Sequence, residues 1–324
     1  MRGTIRIGTR RSALARWQTE WVAAELRRRS PGLEVEVVPV RTLGDRDRST
    51  ALSALGRAGV FTKEIEDALL DGRCDVAVHS YKDLATRLPE GLILAAVPER
   101  ADPRDALVSR SGLGLDDLPA GSVVGSSSLR RRAQLLDLRR DLEVRNLRGN
   151  VPTRLAAAGL AVEGGRPPAG EPLDAALLAL AGMTRLGLAD RASQLLDPER
   201  FLPAPAQGAL ALEVRADDRR ALETVAALDH GPSRRATAAE RAFLAAMEGG
   251  CHAPIGALAR LEGEEVALDG ALTQVDGLEA VRGTARGSDP ERIGRLLAER
   301  LRSRGGDRIL EEIAARLSSE EPGR

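Results

Sequence analysis

Lys82 and Asp83 stand side by side in H-S-Y-K-D-L, Arg10 and Ser12 follow the I-R-I-G-T stretch near the start, and Ser126 to Arg132 read S-S-S-L-R-R-R. A carboxylate beside cations is favoured in its ionised form, and in a pocket it can stabilise a developing positive charge or move a proton. Hydroxyls and guanidiniums at a helix start make an anion cradle, because free backbone N–H groups and the positive dipole end lie there too. Ser12 in one turn and Ser127, Ser128, Arg130 and Arg131 in another fit that description, and R-G-N-V-P-T-R places Arg148 and Arg154 around a third helix start. Arg185 follows an apolar run. Taken singly, each of these is equally well a helix cap or a solvated charge. Their shared position at strand-to-helix turns favours a common anion site, since open α/β sheets bind ligands at the carboxyl ends of their strands.

The thiols are Cys74 and Cys251, the latter in G-G-C-H-A-P-I-G. Cys251 could be a nucleophile, a metal ligand, half of a disulfide or a small apolar filler. The N-terminus lacks the apolar run of a signal peptide and no later run is long enough to span a bilayer, so a soluble cytoplasmic protein with reduced thiols is expected. Adjacent Cys-His is not a useful ligand spacing and no second Cys/His cluster exists, so no metal is expected. A nucleophile would need a histidine brought onto the thiol by the fold. His79, His230 and His252 read as packed or surface residues, and Cys74 as core filler.

Composition narrows the partners. Lys+Arg and Asp+Glu are equal at 48 each, and aromatic residues make up 2%, so neither a general positive field nor stacking platforms for nucleic acid are present. Anion binding must then be local. A chain of 324 residues exceeds what one core usually serves, which predicts two or three domains.

The pattern of strand, polar turn and helix predicts where the turns sit. Ile5 to Ile7 is a strand before a helix over Ala13 to Arg29, Leu33 to Val40 a strand, Lys63 to Leu70 a helix and Cys74 to His79 a buried strand. It restarts after Pro103 with a strand at Ser122 to Val124, a helix over Leu129 to Leu138, a strand at Leu142 to Arg145, a helix from Pro152 and a buried strand over Leu173 to Ala181. Glu163 to Gly170 reads as a surface loop. This alternation predicts parallel α/β lobes. A further strand begins at Ala209, a helix spans Arg235 to Met247, a hairpin turns at Asp276-Gly277, and a helix covers Pro290 to Arg302.

In order along nearly the whole chain stand I-G-T-R-R-S-A-L-A, D-V-A-V-H-S-Y-K-D-L, E-R-A-D-P-R-D-A, V-G-S-S-S-L-R-R-R, L-R-G-N-V-P-T-R-L, L-A-L-A-G-M-T-R-L-G, P-A-Q-G-A-L and E-G-G-C-H-A-P-I-G. With these motifs the sequence closely resembles the porphobilinogen deaminase (hydroxymethylbilane synthase) family. The resemblance implies a cytoplasmic, monomeric transferase of tetrapyrrole biosynthesis carrying a dipyrromethane cofactor. Four porphobilinogen molecules would be condensed in turn with loss of ammonia, and hydroxymethylbilane released from the elongating oligopyrrole. By matching positions, Cys251 would hold the cofactor as a thioether, and Lys82, Ser128, Arg130 and Arg131 would hold its carboxylates. Arg10, Ser12, Arg148, Arg154, Arg185, Gln207 and Arg215 would contact substrate rings, and Asp83 would be the catalytic carboxylate.

The implied fold is α/β, with two periplasmic-binding-protein-like (type II) lobes, a hinge and a small α+β C-terminal domain. Residues 1–101 with 207–226 would form the first lobe, 104–203 the second, and 230–324 the domain bearing Cys251. The sequence departs from the family pattern at Ala58, where lysine is frequent, at Ala85 (proline), at Ala206 (glycine) and at Ala253 (a β-branched residue). A non-catalytic two-lobed anion-binding protein and a cysteine-dependent hydrolase are the alternatives from other classes.

Overall fold

The computed structural model describes residues 3–40, 62–167, 172–247 and 253–319. They fall into two compact units: the first holds the described residues up to Ala101 together with Gly208–Thr237, and the second holds Asp102–Gln207 with Ala238–Ser319.

Strand β1 (Thr4–Thr9) passes through a polar turn into α1 (Ala13–Arg29), whose N-terminus is capped by Ser12 Oγ accepting the Ala15 N–H at 3.2 Å. Then come β2 (Glu34–Pro39), α2 (Lys63–Leu70), β3 (Val76–Ser80), a 3-10 turn (Tyr81–Asp83) and β4 (Leu92–Ala96). β1 runs parallel to β2 and to β3, with Ile7 opposite Val76 and Gly8 opposite Ala77. β3 is covered on both faces, which is why its sequence is a continuous apolar run. Val76 and Val78 pack with Ile5, Ile7, Val22 and Leu26, while Ala77 packs with Ile65, Leu69 and Cys74.

The second unit begins with β5 (Asp105–Ser109), β6 (Val123–Gly125), α3 (Leu129–Leu138) and β7 (Glu143–Arg145). It continues with α4 (Val151–Ala157), β8 (Ala175–Ala179), α5 (Leu180–Arg185) and the two-residue β9 (Gln194–Leu195). The sheet order is β7-β6-β8-β5-β9, with β6 parallel to β7 and β8, and β5 antiparallel to β8 and β9.

β10 (Leu210–Arg215) then inserts antiparallel between β3 and β4, completing the order β2-β1-β3-β10-β4. After α6 (Arg219–Ala226) and α7 (Gly231–Ala246), the antiparallel strands β11 (Ile255–Glu262), β12 (Glu265–Thr273) and β13 (Ala280–Gly287) form a third sheet in sequence order. α8 (Pro290–Leu301) and α9 (Asp307–Ser319) end the described chain. Two glycines are required here. A Cβ on Gly256 would come within 2.7 Å of Leu202 Cβ, and Gly277 turns the hairpin at φ +74° where a Cβ would meet the α3 backbone. Glu240 of α7 is fully buried, its two oxygens accepting the N–H groups of Ala206 at 2.6 Å and Ala259 at 2.8 Å.

The architecture is thus two mixed α/β sheets of one strand order plus a small antiparallel sheet with helices. Sequence alternation predicts parallel lobes; each sheet instead takes in one antiparallel strand, β10 or β5, in both cases the strand that follows a crossing of the unit boundary. The run Leu173 to Ala181 divides into β8 and the start of α5. β4, β5, β9, β11 and α9 have no counterpart in the sequence reading, being short, edge-placed or interrupted by charge. Gly249 to His252, the loop from Gly56 to Phe61 and Pro168 to Gly170 lie outside the described residues.

Candidate functional site

Because β1 and β3 are parallel neighbours, their carboxyl ends emerge together, and the turns after them share one edge of the first sheet. The first turn supplies Arg10 and Ser12; the second supplies Ser80, Lys82 and Asp83. Arg10, Ser12, Gln18, His79, Ser80 and Asp83 line a single open pocket, with Val78 and Ile65 among its apolar wall. Gln18 reaches from α1 to donate Nε2–H to Ser80 Oγ at 2.9 Å, fixing the floor between helix and strand. Asp83 is exposed at the rim and Lys82 is half-buried. A cation, hydroxyls and an exposed carboxylate on one wall can bind an acid-bearing ring and face its N–H or a nascent cation at once.

In the second unit the turn after β6 carries Ser126, Ser127 and Ser128. Ser128 Oγ caps α3 by accepting the Arg131 N–H at 3.4 Å, and Ser126 Oγ accepts the Ser128 N–H at 3.2 Å. After β7, Asn150 caps α4 through the Thr153 N–H, and Arg154 Nε donates to Gly149 O at 2.8 Å, so Arg148 and Arg154 bracket one turn. Arg185 closes α5, where burial pulls its guanidinium down to about 10.

Arg130 and Arg131 are not open anion forks. Both are buried, and both close on Asp105 at the start of β5, at 2.8 and 2.7 Å. Arg130 also donates to Leu202 O and lies 5.7 Å from the Phe201 ring centroid; Arg131 donates to Leu177 O. Burial alone would push the Asp105 carboxyl up, but the two guanidiniums outweigh it and hold it at about 2. Two cations against one carboxylate leave this cluster one net positive charge. Gln207, read from the sequence as a substrate contact, is buried in the same cluster, donating to Pro103 O and to Asp105 at 2.9 Å.

Arg215, expected to contact substrate rings, lies elsewhere in the first sheet. β10 runs antiparallel to β3 with Leu210 opposite Ser80, so Arg215 lies at the far end of the sheet from Asp83. There it binds Leu69 O, Cys74 O, Asp75 and Asp218. Cys74 is buried and its thiol pushed up to about 11 by desolvation, as a packed residue should be. Cys251 is outside the described residues.

Sequence reasoning passed over Gln18, Ser80, Asp105, Glu66 and Glu213, and treated His79 as packing. The available signal was a charge in an apolar strand: D-A-L-V-S and L-A-L-E-V-R each carry an acid at a position that must face inward. His79 Nε2 sits 3.0 Å from Glu213 Oε2, both buried.

Residues 5–223 match the family described as "Porphobilinogen deaminase, dipyromethane cofactor binding domain", and residues 235–303 match "Porphobilinogen deaminase, C-terminal domain". The chain is 48% identical over 312 residues to the porphobilinogen deaminase of Pelotomaculum thermopropionicum, covering 96% of this chain and 97% of that protein. It is 47% identical over 313 residues to that of Moorella thermoacetica, with 96% and 97% covered. Among solved structures, the methionine-binding protein MetQ aligns with TM-score 0.43 and 14% identity, over 69% of this chain and 89% of that one.

Proposed function

The chain belongs to the porphobilinogen deaminase family, with that activity in tetrapyrrole biosynthesis and a dipyrromethane cofactor, and from this premise we propose which of its residues do the work. Asp83 is the catalytic carboxylate. It stabilises the cationic azafulvene that forms as porphobilinogen loses ammonia, an interaction worth more in the transition state than in the bound substrate. Arg10, Ser12 and Lys82 in the first unit, and Ser128, Arg148, Arg154 and Arg185 in the second, hold the acetates and propionates of cofactor and substrate rings. Arg130, Arg131 and Gln207 act through Asp105, and the net positive charge they leave favours anions at the Ser126 to Ser128 turn.

The donor set fits a dipyrromethane: a cation and hydroxyls for its carboxylates, and an exposed acid for its N–H groups, line one pocket edge. Bound through Cys251, it supplies a fixed pyrrole end for chain growth, up to a tetrapyrrole released as hydroxymethylbilane. The observation that carries the assignment is the shared edge of β1 and β3, which brings Arg10 and Ser12 to the same pocket as Asp83.

Three domains fit this reading, at 1–101 with 207–226, at 104–203 and at 230–324, in a cytoplasmic monomer. No helix among the described residues is long and apolar enough to cross a membrane. Mass spectrometry is the test. The purified protein should exceed its sequence mass by one dipyrromethane and Cys251→Ser should not; an unmodified native mass in active protein overturns the assignment of Cys251.

A further inference from the structure

His79 lines the pocket that holds Asp83, yet it is only 4% exposed. Its partner Glu213 is wholly buried on the next strand. With Glu213 opposite Ala77 and Ala211 opposite His79, the two side chains are diagonal neighbours on one face of the β3–β10 pair. α2 brings Glu66 against the same place. Burial pushes the Glu66 carboxyl up and the charge of Glu213 adds to this, while Thr62 and His79 oppose it. Glu66 Oε1 and Glu213 Oε1 are both buried without a hydrogen-bond partner. Arg10 and Asp83 are the charged groups facing the cluster from the pocket side.

Two acids and an imidazole taken out of water cost several kcal/mol per ionised group, and apolar side chains of similar size would serve a core as well or better. Stability therefore does not account for the cluster. The contact constrains the tautomer: an ionised carboxylate only accepts, so with Glu213 ionised Nε2 would carry the proton toward it and Nδ1 would be left as the basic nitrogen.

We infer that His79, oriented by Glu213 and backed by Glu66, is the proton acceptor of this pocket, taking the proton that a pyrrole α-carbon loses when it is substituted. The inference rests on the deaminase reading above. In each addition the aminomethyl C–N bond of porphobilinogen breaks and ammonia leaves with the bonding pair. The methylene carbon left behind then bonds the free α-carbon of the ring at the growing end. That carbon gives up its proton, and the C–H pair returns to the ring. His79 Nδ1 receives the proton, Glu213 balances the imidazolium, and ammonia carries the proton away as ammonium. Asp83 retains the stabilisation of the cation, so the two tasks fall to different residues.

Two measurements test this. The chain has three histidines, so 15N NMR of the ring nitrogens can be assigned with single His→Gln variants. His79 should show N–H at Nε2 with a bare Nδ1, and lose that preference in Glu213→Leu. A proton fixed on Nδ1 in the native protein overturns the inference. On the cofactor-loaded enzyme, porphobilinogen deuterated at its free α-carbon should react with little isotope effect in the native form. In His79→Gln, turnover should fall about a hundredfold with KM nearly unchanged, and a twofold or greater isotope effect should appear because proton loss becomes limiting. Glu213→Gln, which preserves the shape, should show the same change at roughly tenfold loss. Slower turnover without an isotope effect in both variants, or no loss in either, overturns the inference while leaving the family assignment intact. The latter fails separately, if the native protein carries no dipyrromethane.

Discussion

Asp83 and Asp105 are both aspartates next to cations, and their surroundings give them opposite tasks. Asp83 sits at an exposed rim where a ligand can reach it; Asp105 is sealed in with two guanidiniums and an amide. Asp83→Ala should therefore fold normally and lose turnover by roughly a hundredfold or more, the usual cost of one preorganised electrostatic contact, with Asp83→Glu slow but active. Steady-state kinetics beside a thermal melt checks both halves of that statement. Asp105→Asn should cost about 3–5 kcal/mol in a denaturant titration at neutral pH, because it strands two buried charges. The folded carboxyl at about 2 lies below its free value of roughly 4, so the folded state binds fewer protons. The resulting stability, about 2 kcal/mol, is full above roughly pH 4 and is lost as pH falls toward 2. The acid limb of the stability profile should flatten in the variant. Residues at the polar turns were readable because a hydroxyl or arginine between a strand and a helix has few other places to be. Asp105 and Glu213 were not, since the partners that make a buried acid tolerable come from elements 25 to 134 positions away.

Helices and central strands were legible from periodicity: α2 and α3 fall where the spacing puts them, and β3 announces itself as an apolar run. Strand direction was hidden, because alternation along the chain says nothing about the end from which a strand enters its sheet. Ala206 lies in the segment leading into β10, and with φ +60° it is the non-glycine residue with a left-handed backbone among those described. An L side chain there is strained, so Ala206→Gly should stabilise the protein by roughly 1 kcal/mol, read as a higher denaturant midpoint with unchanged slope. The departure from the family pattern that the sequence displays at this position thus has a physical cost that the backbone angle reveals.

At the scale of the molecule, two compact units joined by two crossings and by α7 should not melt as one. Calorimetry is expected to give a van't Hoff enthalpy below the calorimetric one, and a single two-state transition would contradict the division. The two sheets share a strand order but differ in how it is assembled. β5 to β9 come from one unbroken stretch, Asp105 to Leu195, whereas the first sheet keeps a slot between β3 and β4 that only Leu210–Arg215 can fill. On the ribosome, the half of the protein that is made first must wait for its last strand until the other sheet has fully emerged. A released chain truncated between residues 200 and 205 should hold a protease-resistant second sheet and a first one still open to cleavage, with the bare edges of β3 and β4 exposed to neighbours.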